Sequence, residues 1–514
     1  MRLRSSRRDS QEGSGSGFAG SPPSPCRPCH ATPHAKGIWG NTVAAFDLRK
    51  LALVVGPLGF AATLMFAPPA GMPQPAWYAA GLLWWMAVWW MTEAMPLSAT
   101  ALLPFIVLPL TGVADANKTA SAYYSPIMFL FVGGAFLALA IERTGLHRRL
   151  ALAMLRHAGS SPFRLLLAVM AATATISTMI SNTSTALIMM PMALAILASG
   201  GVKPGETNGM AGALPMGVAF AATLGGYGTI VGTPTNAIAV ALLDRTLGVQ
   251  ISFIEWSAFG MPVVLIGVPL AAWLIARVHG LRADSFDPAA ARDAIEHSVE
   301  WTLPEKRLVP VFALAVLAWV TQPLTEPLFP KGGLTDGTIA AIAGLVLFVL
   351  PDGTGRPMLL WKEANRAPWD VVLMFGGGLS MAMGMSESGL ADWLGKAMLP
   401  LANVPLPIVA LVLVAFVVVV TEFASNIAAA SGIMPVVAAL CGALGADPIL
   451  LALPAALAAS WGFMLPAGTG PNALAWATGH IAMPRVLKAG LALDLAGAVL
   501  IVVVVWSVAQ VLHF

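Results

Sequence analysis

Charge is what this chain lacks. Only 10% of its 514 residues are Asp, Glu, Lys or Arg, whereas an ordinary soluble domain carries roughly 25%. So few charges could not cover the surface of a soluble globule, which excludes a soluble enzyme or a nucleic-acid-binding protein. Cysteine is scarce too. Of three, Cys441 lies in an apolar run and Cys26 and Cys29 share a polar tail, so no disulfide framework exists. The net charge of +3 implies no bulk attraction to an anionic partner. What is present is apolar: 57% hydrophobic residues and a mean hydropathy of +0.78. The chain reads as an all-α, multi-pass membrane protein.

The charges that exist are unevenly placed. Residues 1–50 hold eight Lys/Arg and three Asp/Glu. Residues 1–45, rich in Ser, Gly, Pro and Arg, are expected to form a disordered, basic, cytoplasmic tail. Cys26-Arg-Pro-Cys-His30 matches a haem-attachment pattern. That attachment takes place outside the cytoplasm, so the match reads as chance in a biased segment. Arg7-Arg8 lacks the apolar region that a twin-arginine signal needs.

Apolar runs long enough to cross a bilayer cover Leu51–Phe66, Ala76–Met95, Ala99–Thr111, Ile127–Ile141, Pro262–Val278, Val309–Val320, Ile339–Leu350, Val371–Met385 and Ala489–Val511. Two longer regions, Leu165–Leu243 and Ile408–Ala482, are apolar but interrupted by Gly, Pro, Ser, Thr and Asn. Basic clusters follow the fourth run (Arg143, Arg148, Arg149, Arg156 and Arg164), fill 279–307, recur at Arg356, Lys362 and Arg366, and precede the last run at Arg485 and Lys488. All can be cytoplasmic if each interrupted region holds one re-entrant hairpin and one broken spanning helix. That predicts about eleven transmembrane helices and a cytoplasmic N-terminus. Trp84, Trp85, Trp89 and Trp90 fit a lipid-facing or interfacial belt.

The chain also repeats itself. Phe131-Val-Gly-Gly, Ser181-Asn-Thr and Pro191 each have a counterpart 244 residues on, at Phe375-Gly-Gly-Gly, Ser425-Asn-Ile and Pro435. Gly232-Thr-Pro-Thr-Asn236 returns 236 residues on as Gly468-Thr-Gly-Pro-Asn472. Each copy contains five spans, and an odd number inverts the second copy. Inverted repeats with helix breaks at matching places mark secondary transporters, and irregular backbone survives in lipid only where it lines a cavity.

The breaks offer hydroxyls, amides and free carbonyls. Hard cations such as Na⁺ take oxygen ligands, and helix N-termini favour anions. No Lys or Arg is available near either motif to neutralise an anion. A doubly charged anion would then depend on recruited cations, which gives a physical basis for coupling. A relay of Asp, Glu and His for protons is missing; Glu422 is expected to pack against polar groups or water in its hairpin. A membrane-embedded enzyme would need a nucleophile, metal cluster or acid–base pair, and none is visible. A channel would not need inverted broken helices.

These residues resemble the divalent anion:sodium symporter family. Trp90-Met-Thr-Glu-Ala-Met-Pro-Leu97 is similar to its early Trp-x-Thr-Glu-Ala-x-Pro segment, and the paired Ser-Asn motifs and Gly-Thr breaks resemble its signatures. The resemblance covers nearly everything after the tail. It implies a homodimer in the inner membrane, working as an elevator. Scaffold parts would be 46–160 and 308–402. Transport parts would be 161–280 (hairpin 163–200, broken helix 211–243) and 403–514 (hairpin 404–445, broken helix 449–482), with a cytoplasmic linker at 281–307. One Na⁺ would lie near Ser177, Ser181, Asn182 and Gly232, and a second near Thr421, Ala424, Asn426 and Gly468. The anion would touch Asn182, Thr183, Ser425 and Asn426, with Thr233 and Thr469 beside them. Ile427 replaces the second motif's threonine, and Thr235 and Gly470 each replace a proline. Losing that hydroxyl is expected to shift preference towards a smaller or more apolar anion. The reading is Na⁺-coupled symport of a C4-dicarboxylate; sulfate symport or Na⁺-independent exchange is the alternative.

Overall fold

The computed structural model describes residues 48–155, 161–281, 286–287, 300–466 and 468–512. The tail and its Cys26–His30 motif lie outside the described residues, as does most of the 281–307 linker. Apart from one isolated bridge, Pro351 to Pro357, the described residues are helical or irregular.

The chain begins with α1 (Leu48–Met65), α2 (Gln74–Thr92), α3 (Leu97–Thr100), α4 (Leu103–Leu110) and α5 (Ala116–Ala122). The run expected as one span over Ala99–Thr111 is thus divided. Pro104 has no N–H for the carbonyl of Thr100, so the helix stops and restarts at Leu103. The tryptophan expectation also needs correction. Trp84 is exposed, but Trp89 and Trp90 are buried and donate to the carbonyls of Ala52 and Leu97, at 3.0 Å each. They lock α2 to its neighbours rather than anchoring it in lipid.

Two matching series follow. The first is α6 (Pro126–Thr144), α7 (Leu146–Leu155), α8 (Pro162–Ser177), α9 (Asn182–Ser199), α10 (Met210–Gly225), α11 (Pro234–Leu247) and α12 (Phe253–His279). Between the series stand α13 (Leu303–Thr325), α14 (Asp336–Val349) and α15 (Trp361–Ala364). The second series is α16 (Trp369–Ser388), α17 (Leu390–Met398), α18 (Leu406–Phe423), α19 (Asn426–Leu444), α20 (Pro448–Ala458), α21 (Gly470–Ala477) and α22 (Met483–Leu512). The capping chemistry repeats as well. Gly145 ends α6 at φ 82° and Gly389 ends α16 at φ 77°, a left-handed turn that glycine adopts without Cβ strain. Ser181 and Ser425 cap α9 and α19 with side-chain oxygens.

The copies are inverted. Lys118, just ahead of α6, pairs with Glu387 in the last turn of α16. Arg366, just ahead of α16, pairs with Glu142 in the last turn of α6. The start of each helix therefore meets the end of its counterpart, and the two run in opposite directions.

Among the described residues, nine helices are long and apolar enough to cross a membrane. Three of these, α9, α18 and α19, are hairpin arms. Shorter and interrupted helices complete about eleven crossings, with α8–α9 and α18–α19 as re-entrant hairpins. Helix α10 is buried at every position, between α8, α9 and α12. A helix apolar all round belongs inside a bundle. A separate, smaller core joins α2, α4 and one face of α16 through Trp90, Leu108 and Met381.

Candidate functional site

Each hairpin turns where its first arm runs out of helix. Helix α8 ends at Ser177 and α9 starts at Asn182; α18 ends at Phe423 and α19 starts at Asn426. The broken helices part likewise. Two short 3₁₀ turns, Gly226–Gly228 and Ile230–Gly232, separate α10 from α11, and an irregular stretch after Ala458 separates α20 from α21. Each hairpin tip meets the other copy's break: α9 packs on α21, and α19 on α11. A Cβ on Gly470 would lie 2.3 Å from Thr183 Oγ1, so any larger residue there would force the Thr183 side chain to shift.

The four breaks surround one cavity of about 370 Å³. Its walls include Ser181, Asn182 and Thr183, then Thr233, then Ser425, Asn426 and Ile427, then Gly468 and Thr469. These stand at the N-termini of α9, α11, α19 and α21, or just before them. Four helix N-termini therefore face one space, each with N–H groups that lack intrahelical acceptors and a partial positive charge. That arrangement suits an anion. Ile427 presents an aliphatic side chain to the same space.

Ser177 and Thr421, expected as cation ligands, are fully buried behind the tips. The Ser177 hydroxyl lies 2.6 Å from the Ala222 carbonyl and 3.0 Å from Asn182 Oδ1. The Thr421 hydroxyl lies 2.7 Å from the Ala459 carbonyl and 2.9 Å from Asn426 Oδ1. A hydroxyl has one proton to give, so each cluster holds more acceptors than donors. Such oxygen-rich clusters suit a hard cation. Ala424 ends α18 with extended backbone, and Gly232 sits against the Gly226 carbonyl.

Sequence reading missed three things. The asparagines ending the Gly-Thr motifs are structural keystones. Asn236 Nδ2 donates to the carbonyls of Gly226 and Thr229 at 2.8 and 2.9 Å. Asn472 Nδ2 reaches those of Gly462 and Leu465 at 3.5 and 3.3 Å. Both buried Oδ1 atoms lack a donor among the described residues, leaving a further acceptor at each break. Second, the cavity is not free of basic side chains. Arg366, remote in sequence from both motifs, lines it together with Glu142. Third, Asp494 of α22 is buried beside Glu422. Glu422 packs against polar backbone, as expected: its oxygens accept from the amides of Met464 and Leu465 at 2.8 and 2.9 Å, which fixes the second break.

Outside the spans, Arg143 at the end of α6 donates to Asp352 and to the Met358 carbonyl. Burial would raise the Asp352 carboxyl. The Arg143 guanidinium and the Thr354 hydrogen bonds outweigh it and hold the group well below the usual carboxylate range. This lock fixes the loop that leads to Arg366.

Inverted copies, paired hairpins and a cavity framed by four helix breaks define a secondary transporter. The sodium:sulfate symporter transmembrane region matches residues 48–513, and the chain belongs to that family. It is a transporter with Na⁺ as coupling ion, not an enzyme. It is 36% identical over 470 residues to the sodium-dependent dicarboxylate transporter SdcS of Staphylococcus saprophyticus, covering 89% of this chain and 90% of that one. The SdcS of Staphylococcus aureus strain USA300 is 36% identical over 477 residues, covering 89% and 91%. Among solved structures, the YdaH transporter of Alcanivorax borkumensis aligns with a TM-score of 0.54 and 16% identity, over 76% of this chain and 88% of that one. That likeness concerns the fold alone.

Proposed function

We propose that the protein is a Na⁺-coupled symporter of a small divalent anion, a C4-dicarboxylate such as succinate, malate or fumarate. One observation carries this reading: four helix N-termini face a cavity whose hairpin tips bear no charged side chain. Partial charges alone are a weak counterweight to a dianion. Two Na⁺ ions in the matched oxygen clusters would supply the missing positive charge. Ser177, Ser181, Asn182 and Gly232 would hold one, and Thr421, Ala424, Asn426 and Gly468 the other. Asn182, Thr183, Thr233, Ser425, Asn426 and Thr469 would hold the anion between them. Binding of each ion then favours binding of the others, and an anion alone binds only weakly. The names of the SdcS relatives support a dicarboxylate over sulfate.

On the same reading the chain works as a homodimer in the inner membrane with its N-terminus cytoplasmic. The hairpins and broken helices (161–280 and 403–514) move as a unit against a scaffold of 46–160 and 308–402. The test is uptake of labelled succinate and of labelled sulfate into proteoliposomes, with and without an inward Na⁺ gradient. Succinate uptake that requires Na⁺ is expected. Uptake indifferent to Na⁺ but stimulated by internal anion would replace symport with exchange, and a clear preference for sulfate would replace the substrate.

A further inference from the structure

The two ion pairs that reveal the inversion also occupy comparable places. Arg366 meets Glu142 at 2.6 Å, and Lys118 meets Glu387 at 2.5 Å. Each joins a cation ahead of one helix to an acid in the last turn of its counterpart. Helix α6 has 19 residues, or about 28 Å of length, so the pairs sit a membrane's thickness apart. Each pair lines a cavity. Arg366 and Glu142 border the space framed by the four helix N-termini. Lys118 and Glu387 border a second space of about 650 Å³, walled by α16, α17, α19 and the end of α11, where Arg245 stands. Side-chain exposures of 63% and 26% for the first pair and 47% and 38% for the second leave all four charges within reach of a solute.

We propose that Glu142–Arg366 and Lys118–Glu387 are anion-handling pairs, one at each membrane face. Each passes the transported dianion between solution and the site when the site faces that side. The inference rests on the dianion reading above. A lone cation at a cavity mouth draws anions in but also retains them. A carboxylate already paired with that cation competes with the dianion, so the cation attracts without trapping. The helix N-termini, which carry only partial charges, then receive the anion deeper in. Arg356 and Lys362 cluster in sequence with Arg366, which assigns its mouth to the cytoplasm by charge bias and leaves Lys118 outside. The 244-residue offset sets Glu142 opposite Ser386 and Lys118 opposite Lys362, so the pairs hold similar places in the inverted copies without matching residue by residue.

The test compares transport from the two faces. Initial rates of labelled succinate transport, driven by Na⁺, are measured in right-side-out and inside-out membrane vesicles over a range of ionic strengths. Lys118→Gln is expected to raise the external half-saturating concentration about threefold or more and to flatten its salt dependence. The internal value stays unchanged. Arg366→Gln is expected to do the reverse. Glu142→Gln should lower the internal half-saturating concentration and slow release. Should a glutamine variant fail to fold, Arg366→Met and Lys118→Met remove the same charges and carry the same comparison. Equal shifts at both faces, or none at either, would overturn the inference while leaving the functional reading intact. Wild-type vesicles that show no Na⁺-driven anion uptake would overturn both.

Discussion

Ser177 and Asn182 stand in the same relationship as Thr421 and Asn426. In each pair a buried hydroxyl at the end of one hairpin arm meets the amide oxygen that opens the next, at 3.0 and 2.9 Å. Behind each, a carbonyl from the adjoining broken helix takes the same hydroxyl. Two oxygen clusters, 244 residues apart in sequence, are built from the same parts. If each holds a Na⁺, Ser177→Ala and Thr421→Ala should each raise the half-saturating Na⁺ concentration for uptake about tenfold, as a lost ligand of about 1.4 kcal/mol requires. Na⁺-dependence curves in proteoliposomes decide it; unchanged curves would remove the hydroxyls from the cation sites.

Asn182→Ala and Asn426→Ala each remove an oxygen assigned to both cation and anion. Uptake should fall by at least about tenfold while the purified protein keeps its elution volume and melting temperature. Near-normal transport by both variants would refute the site.

Asn236→Ala leaves two buried carbonyls at the first break without their donor. The loss of each hydrogen bond costs about 1–3 kcal/mol. Both thermal stability and uptake should suffer, whereas Ser177→Ala should affect uptake far more than stability. Melting curves in detergent beside uptake assays separate the two roles.

Ile427 lines the cavity where the first copy has Thr183. Ile427→Thr restores a hydroxyl, worth about 1 kcal/mol when it finds a partner. The ratio of half-saturating concentrations for succinate and sulfate should change about fivefold in competition assays. An unchanged ratio would place residue 427 outside contact with the anion.

Asp352 gives a pH test away from the membrane. Its folded carboxyl titrates below the usual carboxylate range because of Arg143. The stabilisation is therefore fully present above the unfolded value, near 4. It is lost as pH falls through the depressed folded value. Asp352→Asn should lower the melting temperature by ~2 °C at neutral pH, and the gap to wild type should narrow in acid. A gap independent of pH would show that packing, not charge, links the loop to α6.

Sequence alone determined the membrane, the repeat and the positions of the four breaks. Each is written in local chemistry: too little charge for water, matching motifs at a fixed offset, and Gly, Pro, Ser and Asn where an apolar helix should continue. The inversion was legible as well, because an odd span count fixes it. The break within the third run and the burial of Trp89 and Trp90 were not. Pro104 and its neighbours read as continuous apolar sequence, and an indole looks alike to lipid and to a helix partner. Only the tertiary structure brought Arg366 to the cavity. It lies 184 residues from Asn182 and 60 from Asn426, on a loop held by the Arg143–Asp352 lock. Missing charge therefore describes the hairpin tips and not the mouth. Charge counted along a chain says which groups exist; which of them share a space depends on packing between segments far apart in sequence.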